Sequence, residues 1–381
     1  MNEAENTYEI NDVVKNIVLP NIALQVKNED VAFPYLAGAP GGGKTTIIKT
    51  MCEDRNWGLI STHFALKPLE ETGGLPQFRK FKFNNQEILG TVWSFPDIMQ
   101  QLYTMSQTKK IIVWLLDDVH LCTFVHMGLL YELLTERKLR GYKIPDNVAI
   151  VLAGNHNDNK AGAKTMFSAI MNRILLLPIH TSYINWKKNF AIKHNLHPAI
   201  LSFFNEMNEQ FFHEDEQVNC PWGSPRSWTR FSNFLVQLEK NDKIIPSDKL
   251  LYIAQAHVSK EAASEFVQYY KIMMQFDVKK ILKEADDFQL PESNVDKYAM
   301  LFTLLYNYSN RKDPNEIINP FSKIVYKYIK DSPDLGILAI HEIIDIEKIL
   351  NKRNLYMRLV DNLNTIEPGI TSKLLKGLQN V

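Results

Sequence analysis

The sequence predicts a doubly wound α/β domain followed by an α-helical region, and two observations carry the prediction. Between about residues 30 and 180, short continuous apolar runs alternate with amphipathic stretches. After Pro178 the apolar residues recur instead at three- and four-residue intervals. Continuous apolar runs belong to strands of a parallel sheet covered on both faces, and strand–helix repetition builds the doubly wound arrangement. The change of period marks the passage from sheet to helices.

The expected strands are VAFPYLAG (31–38), GLISTHFAL (58–66), IIVWLL (111–116), VAIVLA (148–153) and ILLLPI (174–179), each read as buried on both faces. TTIIKTMCEDR and GLLYELLTERK have helical spacing and lie between them, and Ile10 to Val18 reads as a further helix packed against the domain. Beyond residue 181, segments such as HPAILSFFNEMNEQFF, SWTRFSNFLVQLEK, KEAASEFVQYYKIMMQF and LGILAIHEIIDIEKIL read as helices. Pro198 and Pro333 stand where a first helical turn tolerates proline. The polar, proline-containing stretch KEADDFQLPESN (283–294) reads as a divide. The expected organisation is therefore an α/β core over 1–180, a helical segment over 181–285 and a second over 286–381.

Composition narrows the class. The 381 residues carry 43 basic and 43 acidic side chains and are 45% hydrophobic, which excludes a disordered chain and argues against bulk attraction to nucleic acid. Cys52, Cys122 and Cys220 form no C-x-x-C pair, so neither a disulfide framework nor a zinc site is expected. The N-terminal MNEAENTYEINDVV lacks an apolar core and no apolar run is long enough to span a bilayer, so a cytoplasmic protein without a secretory signal is expected.

Gly38-Ala39-Pro40-Gly41-Gly42-Gly43-Lys44-Thr45 satisfies G-x-x-x-x-G-K-[ST] in full, between an expected strand and an expected helix. Glycines let the backbone curl so that N–H groups point at phosphate oxygens, and the helix end adds a positive dipole. Lys44 is placed to reach the β- and γ-phosphates and Thr45 to ligate Mg²⁺. Gly38, Pro40, Gly41, Gly42, Gly43, Lys44, Thr45 and Thr46 are the expected nucleotide contacts. Downstream, IIVWLLDDVH ends a buried strand in two carboxylates. An acid at that strand end faces the phosphate crevice. Asp117 is the candidate Mg²⁺ ligand and Asp118 the candidate that orients and polarises the attacking water. The competing reading of such a pair is a solvated strand end or a helix cap.

These motifs together resemble AAA+ ATPases, most closely the MoxR-like branch, including versions carried by phages. The resemblance covers roughly the first 240 residues. It implies a P-loop NTPase (AAA+) core with a helical lid over 181–285, ATP and Mg²⁺ as cofactors, and hydrolysis of ATP to ADP and phosphate. It makes Asn155 a polar sensor of the γ-phosphate, where the competing reading is a loop asparagine capping a turn. It makes Arg173 the finger that enters a neighbouring subunit's site, against a structural arginine at a helix end, with Arg137 and Arg140 in reserve. Arg226 corresponds to a second sensor at the start of a lid helix fixed by Pro225 and Trp228, with Arg230 as the weaker choice. The family carries Glu at the second acid, whereas Asp118 is about 1.5 Å shorter, which leaves slow turnover as an alternative.

The resemblance further implies a homo-oligomeric ring, most simply of six, that remodels a protein target, with a von Willebrand A protein among the expected partners. A DNA-directed loader or helicase and a nucleotide-stabilised scaffold are the alternatives. FRKFKF and EILGTVW read as a β-hairpin turning at Asn84-Asn85. Its Phe78 and Phe81, flanked by Arg79, Lys80 and Lys82, either grip a polypeptide or a phosphate backbone or serve cross-strand packing. His63, His120, His126 and His156 show no metal spacing and read as packing or loop residues.

Overall fold

The computed structural model describes residues 7–155, 168–207, 209–215, 219–241, 245–309, 317–350 and 354–370. They fall into two compact units that meet in sequence between Thr181 and Ser182. The first unit opens with β1 (Tyr8–Glu9) and α1 (Ile10–Val13), which runs through a π-helical turn (Val14–Val18) into α2 (Leu19–Gln25). Then follow β2 (Phe33–Ala37), α3 (Lys44–Asp54), β3 (Gly58–His63), α4 (Leu69–Gly73), β4 (Pro76–Phe83), β5 (Gln86–Trp93), α5 (Asp97–Ser106) and β6 (Ile112–Asp117). The unit closes with α6 (Phe124–Glu136), a short hairpin of β7 (Lys138–Leu139) and β8 (Tyr142–Lys143), β9 (Val148–Gly154), α7 (Ser168–Met171) and β10 (Ile174–His180).

Six strands form one sheet in the order β1-β10-β2-β9-β6-β3, and every neighbouring pair is parallel. Strand alternation feeds two separate cores. Ile112, Trp114 and Leu116 of β6 point into one, with Leu102 of α5 and Leu130 of α6. Val113 and Leu115 point into the other, with Val14, Ile22 and Ile48 from the helical segments on that face. Helices on both faces are what a parallel sheet requires, and the fold is a P-loop α/β core followed by a helical part.

Every residue of β2, β6 and β9 is buried, as the continuous apolar runs predict. The same expectation fails for β3 and β10. β3 is the end strand and alternates, with Ile60 buried and Ser61 and His63 exposed. In β10, Leu175 and Leu176 are exposed, because β1 pairs only with Ile179 and His180 and leaves the rest of that edge without a strand among the described residues. Apolar content gives a strand's character but not its place in the sheet.

The separate β4–β5 hairpin turns at Asn84 and Asn85, both with positive φ (48° and 61°), which asparagine tolerates and a type I′ turn requires. All of β4 is exposed, including Phe78 and Phe83.

The second unit is helical: α8 (Tyr183–Trp186) with a π-helical turn (Lys187–Ala191), α9 (Pro198–Met207), α10 (Pro225–Asn241), α11 (Ser247–Gln255), α12 (Lys260–Met273), α13 (Val278–Lys283), α14 (Asn294–Ser309), α15 (Ile318–Asp331), α16 (Pro333–Leu350) and α17 (Leu355–Ile366). Pro198 and Pro333 open their helices as predicted. One apolar cluster runs from Tyr183 to Ile370 across both sides of the 283–294 stretch. A buried ion pair, Lys187 Nζ to Glu342 Oε1 at 2.5 Å, joins the two sides as well. Among the described residues no helix is long and apolar enough to cross a membrane.

Candidate nucleotide site

The carboxyl edge of the sheet gathers most of the predicted residues. The loop from Gly38 to Gly43 leaves β2 and enters α3 at Lys44, with Gly41 and Gly43 at φ 78° and 90°, a conformation that side chains resist. Gly38 N–H donates to Gly154 O at 3.2 Å, and a Cβ on Gly38 would lie 2.8 Å from Ile179 O. Thr181 Oγ1 donates to Gly42 O at 2.6 Å, so the loop is tied to β9 on one side and to the residue after β10 on the other. Gly38, Gly41 and Gly42 are buried, Pro40 and Thr45 half-buried, and Thr46 exposed. The first N–H groups of any helix lack a partner within it, which gives the start of α3 its affinity for anions.

Lys44 is buried, and its ammonium donates to Gly38 O (2.9 Å), Ala39 O (3.0 Å) and Asn155 Oδ1 (3.3 Å). Thr45 Oγ1 donates to Asp117 Oδ2 at 2.6 Å, and Asp117 Oδ1 accepts the Asp118 N–H at 3.0 Å. A hydroxyl and a carboxylate side by side are the hard oxygen donors that Mg²⁺ takes, and that ion completes its shell with water and phosphate rather than an all-protein cage. No cluster of three or more His, Cys, Asp or Glu side chains able to hold a metal occurs among the described residues.

Asp118 has φ 57°, and this left-handed turn presents its carboxylate to His63 Nδ1 at 2.9 Å. His63 ends β3 in register with Asp117. His120, in the turn after the acids, accepts the backbone N–H of Asn155 on Nδ1 at 3.2 Å. From sequence alone both histidines read as packing or loop residues. Their signal is strand adjacency: once β3 is placed beside β6, His63 falls next to the acids. Of the others, His126 bonds Thr123 and the Lys67 carbonyl, and His156 lies outside the described residues.

Arg173 is not in this cluster. It stands at the opposite, amino edge, where its carbonyl accepts the Phe33 N–H at the start of β2. Five residues of parallel strand separate it from Gly38, about 16 Å at 3.3 Å per residue, beyond the reach of an arginine side chain. Its guanidinium donates to Ala169 O (2.6 Å) and to Tyr131 OH (3.3 Å), lies over the Tyr131 ring, and lines a cavity of about 580 Å³ with Glu29, Asp30, Arg137 and Asn172. Arg137 donates to Val148 O at 2.6 Å, and burial lowers its pKa. Arg140 stacks on Trp93 at 3.8 Å. Each reserve arginine thus has a contact within its own chain, Arg137 with a β9 carbonyl and Arg140 with the Trp93 ring, while the Nε of each is buried without a hydrogen-bond partner.

In the helical unit, Arg226 is exposed in the first turn of α10. The turn is fixed by reciprocal bonds between Ser224 and Ser227 and by fully buried Trp228, whose Nε1 donates to Phe211 O at 2.8 Å. Arg230 is exposed one turn on.

No protein-family model and no curated protein matches the chain. Among solved structures, it is similar to a point mutant of RuvB from Thermotoga maritima, at 14% identity over 73% of this chain and 76% of that one, with a TM-score of 0.38. It is similar also to the T. maritima structure titled RuvB Holliday junction branch migration motor, at 16% identity over the same shares, with a TM-score of 0.36. Likeness at that level carries no functional information.

Proposed function

We propose that the chain is an AAA+ ATPase of the MoxR-like kind, in its phage version, that hydrolyses ATP with Mg²⁺ and uses the energy to remodel a protein partner. The observation that carries the reading is the bonded set Lys44–Asn155 and Thr45–Asp117–Asp118 at the mouth of the glycine loop. Gly38, Pro40, Gly41 to Gly43, Lys44, Thr45 and Thr46 hold the triphosphate, with Thr45 and Asp117 on the metal. Mg²⁺ supplies charge neutralisation on the phosphates when bound. Asp118 takes the proton of the attacking water, and His63 holds its carboxylate. Asn155 senses the γ-phosphate through its amide. Residues 181–285 act as the lid, carrying Arg226 to the phosphates, and 286–381 as an extension whose described residues share the same apolar core.

Arg173 acts on a neighbour's nucleotide, since its own phosphate loop lies a strand's length away. The active form is a ring, most simply of six, in the cytoplasm of a prokaryotic or phage-infected cell. Mixing tests this directly. Lys44→Ala and Arg173→Ala chains, each inactive alone, regain hydrolysis when combined, because a mixed interface pairs an intact loop with an intact finger. No recovery in mixtures shown by mass photometry to co-assemble removes the shared site.

A second reading, a motor directed by single-stranded nucleic acid, is favoured by the hairpin. Arg79, Lys80 and Lys82 are exposed there, with Lys80 paired to Glu87 and Lys82 opposite it in register, and Phe78 and Phe83 are exposed for base stacking. Stimulation of hydrolysis by an unfolded polypeptide supports the first reading, and stimulation by single-stranded DNA the second.

A further inference from the structure

The backbone of Asn155 is held in an unusual way. β9 pairs with β6 as far as Leu116↔Leu152 and with β2 as far as Ala37↔Gly154, so at Asn155 both ladders have ended. Side chains take over. His120 Nδ1 accepts the Asn155 N–H at 3.2 Å, and the Tyr35 hydroxyl donates to the Asn155 carbonyl at 3.4 Å. An accepting Nδ1 fixes the tautomer, with the ring proton on Nε2 and the imidazole neutral. The environment favours that form: His120 is buried, burial lowers its pKa, and the Lys44 ammonium acts in the same sense against the raising effects of Asp118 and Asp117. Burial raises the Tyr35 pKa, so its hydroxyl remains a donor.

The fit around these bonds is close. A Cβ on Gly154 would lie 2.4 Å from the Tyr35 hydroxyl and 3.0 Å from His120 Nδ1. The far end of Asn155 completes the chain, its Oδ1 accepting from Lys44 Nζ. His120 itself sits in the single 3-10 turn Val119–Leu121 that directly follows Asp117 and Asp118.

We propose that His120 is a positioning residue for nucleotide hydrolysis: its Nδ1 replaces the missing ladder partner of Asn155 and ties that amide to the turn that directly follows Asp117 and Asp118. The inference rests on the ATPase reading above. It assigns His120 a geometric task, since a displacement of about 1 Å in a reacting group costs up to about a hundredfold in rate. A histidine that only fills space would be replaceable by any side chain of similar size.

Three variants of the full chain separate these roles. His120→Asn keeps an acceptor on Cγ, where Nδ1 was; His120→Gln moves it one bond outward; His120→Leu keeps volume and removes it. The expected result is kcat lowered about ten- to a hundredfold in the Leu and Gln variants, with KM for Mg·ATP changed by no more than about twofold. In His120→Asn, kcat stays within about threefold of the wild type. Equal loss in all three, or none in the Leu variant, overturns the proposal. If the Leu variant does not fold, the Asn and Gln pair alone decides, since both are polar and differ in where the acceptor stands. A wild-type chain that neither binds nor hydrolyses Mg·ATP overturns the ATPase reading and this one together. An active wild type with inactive Lys44→Ala and indifferent His120 variants overturns only the role of His120.

Discussion

The two edges of the parallel sheet share the same strands and differ in what their side chains bond. At the carboxyl edge, residues form two bonded groups side by side, Lys44–Asn155–His120 and Thr45–Asp117–Asp118–His63. At the amino edge, Arg137 and Arg173 bond main-chain carbonyls of their own core and open onto the cavity beside Glu29 and Asp30. Sheet polarity explains the contrast. Helix α3 begins at the first edge and presents its positive end there, while α6 and α7 finish at the second and present their negative ends. Arginines at the amino edge therefore stand where helix carboxyl ends favour a cation without any phosphate. Two tasks are therefore open to Arg173, local pairing and action on a neighbour, and only function separates them.

The largest expected effect lies at the carboxyl edge. Lys44→Ala removes the charge and leaves three acceptors without their donor, so hydrolysis disappears and Mg·ATP affinity falls by about a hundredfold or more. At the other edge, Arg173→Ala lowers kcat by about a thousandfold in the assembled form while each chain still binds nucleotide. A loss of thermal stability with unchanged kcat would instead assign Arg173 to the helix ends. Asp118→Asn lowers kcat by about a hundred- to a thousandfold and leaves binding intact, measured by phosphate release beside fluorescent-nucleotide titration.

Smaller effects sharpen the same contrast. Gly154→Ala forces a methyl group against Tyr35 and His120 and costs about 1–3 kcal/mol of stability, read from denaturant melts. Arg226→Ala, at an exposed first turn, changes stability by no more than about 0.5 kcal/mol yet reduces hydrolysis if the lid arginine meets phosphate.

How much of this was legible in the sequence follows from the same chemistry. Continuous apolar runs located β2, β6 and β9, because a strand buried on both faces leaves that mark wherever it occurs. The asparagine pair located the hairpin, because its turn needs positive φ. The glycine loop and the acid pair were local patterns and were read locally. What escaped depends on which strand lies beside which. The exposed Leu175 and Leu176 reflect the shortness of β1, a two-residue strand with no sequence signature. His63 reaches Asp118 only because β3 lies beside β6, and His120 matters only because the ladders on both sides of β9 end before Asn155. A single histidine carries no periodicity from which such adjacency can be inferred.

Whether the carboxyl edge holds a nucleotide is decided most directly by isothermal titration calorimetry of Mg·ATP into the purified 381-residue chain, with Lys44→Ala run alongside. The account predicts saturable heat with one nucleotide per chain for the wild type, and its near disappearance in the variant. A flat titration for the wild type, or equal affinity for both proteins, would contradict it.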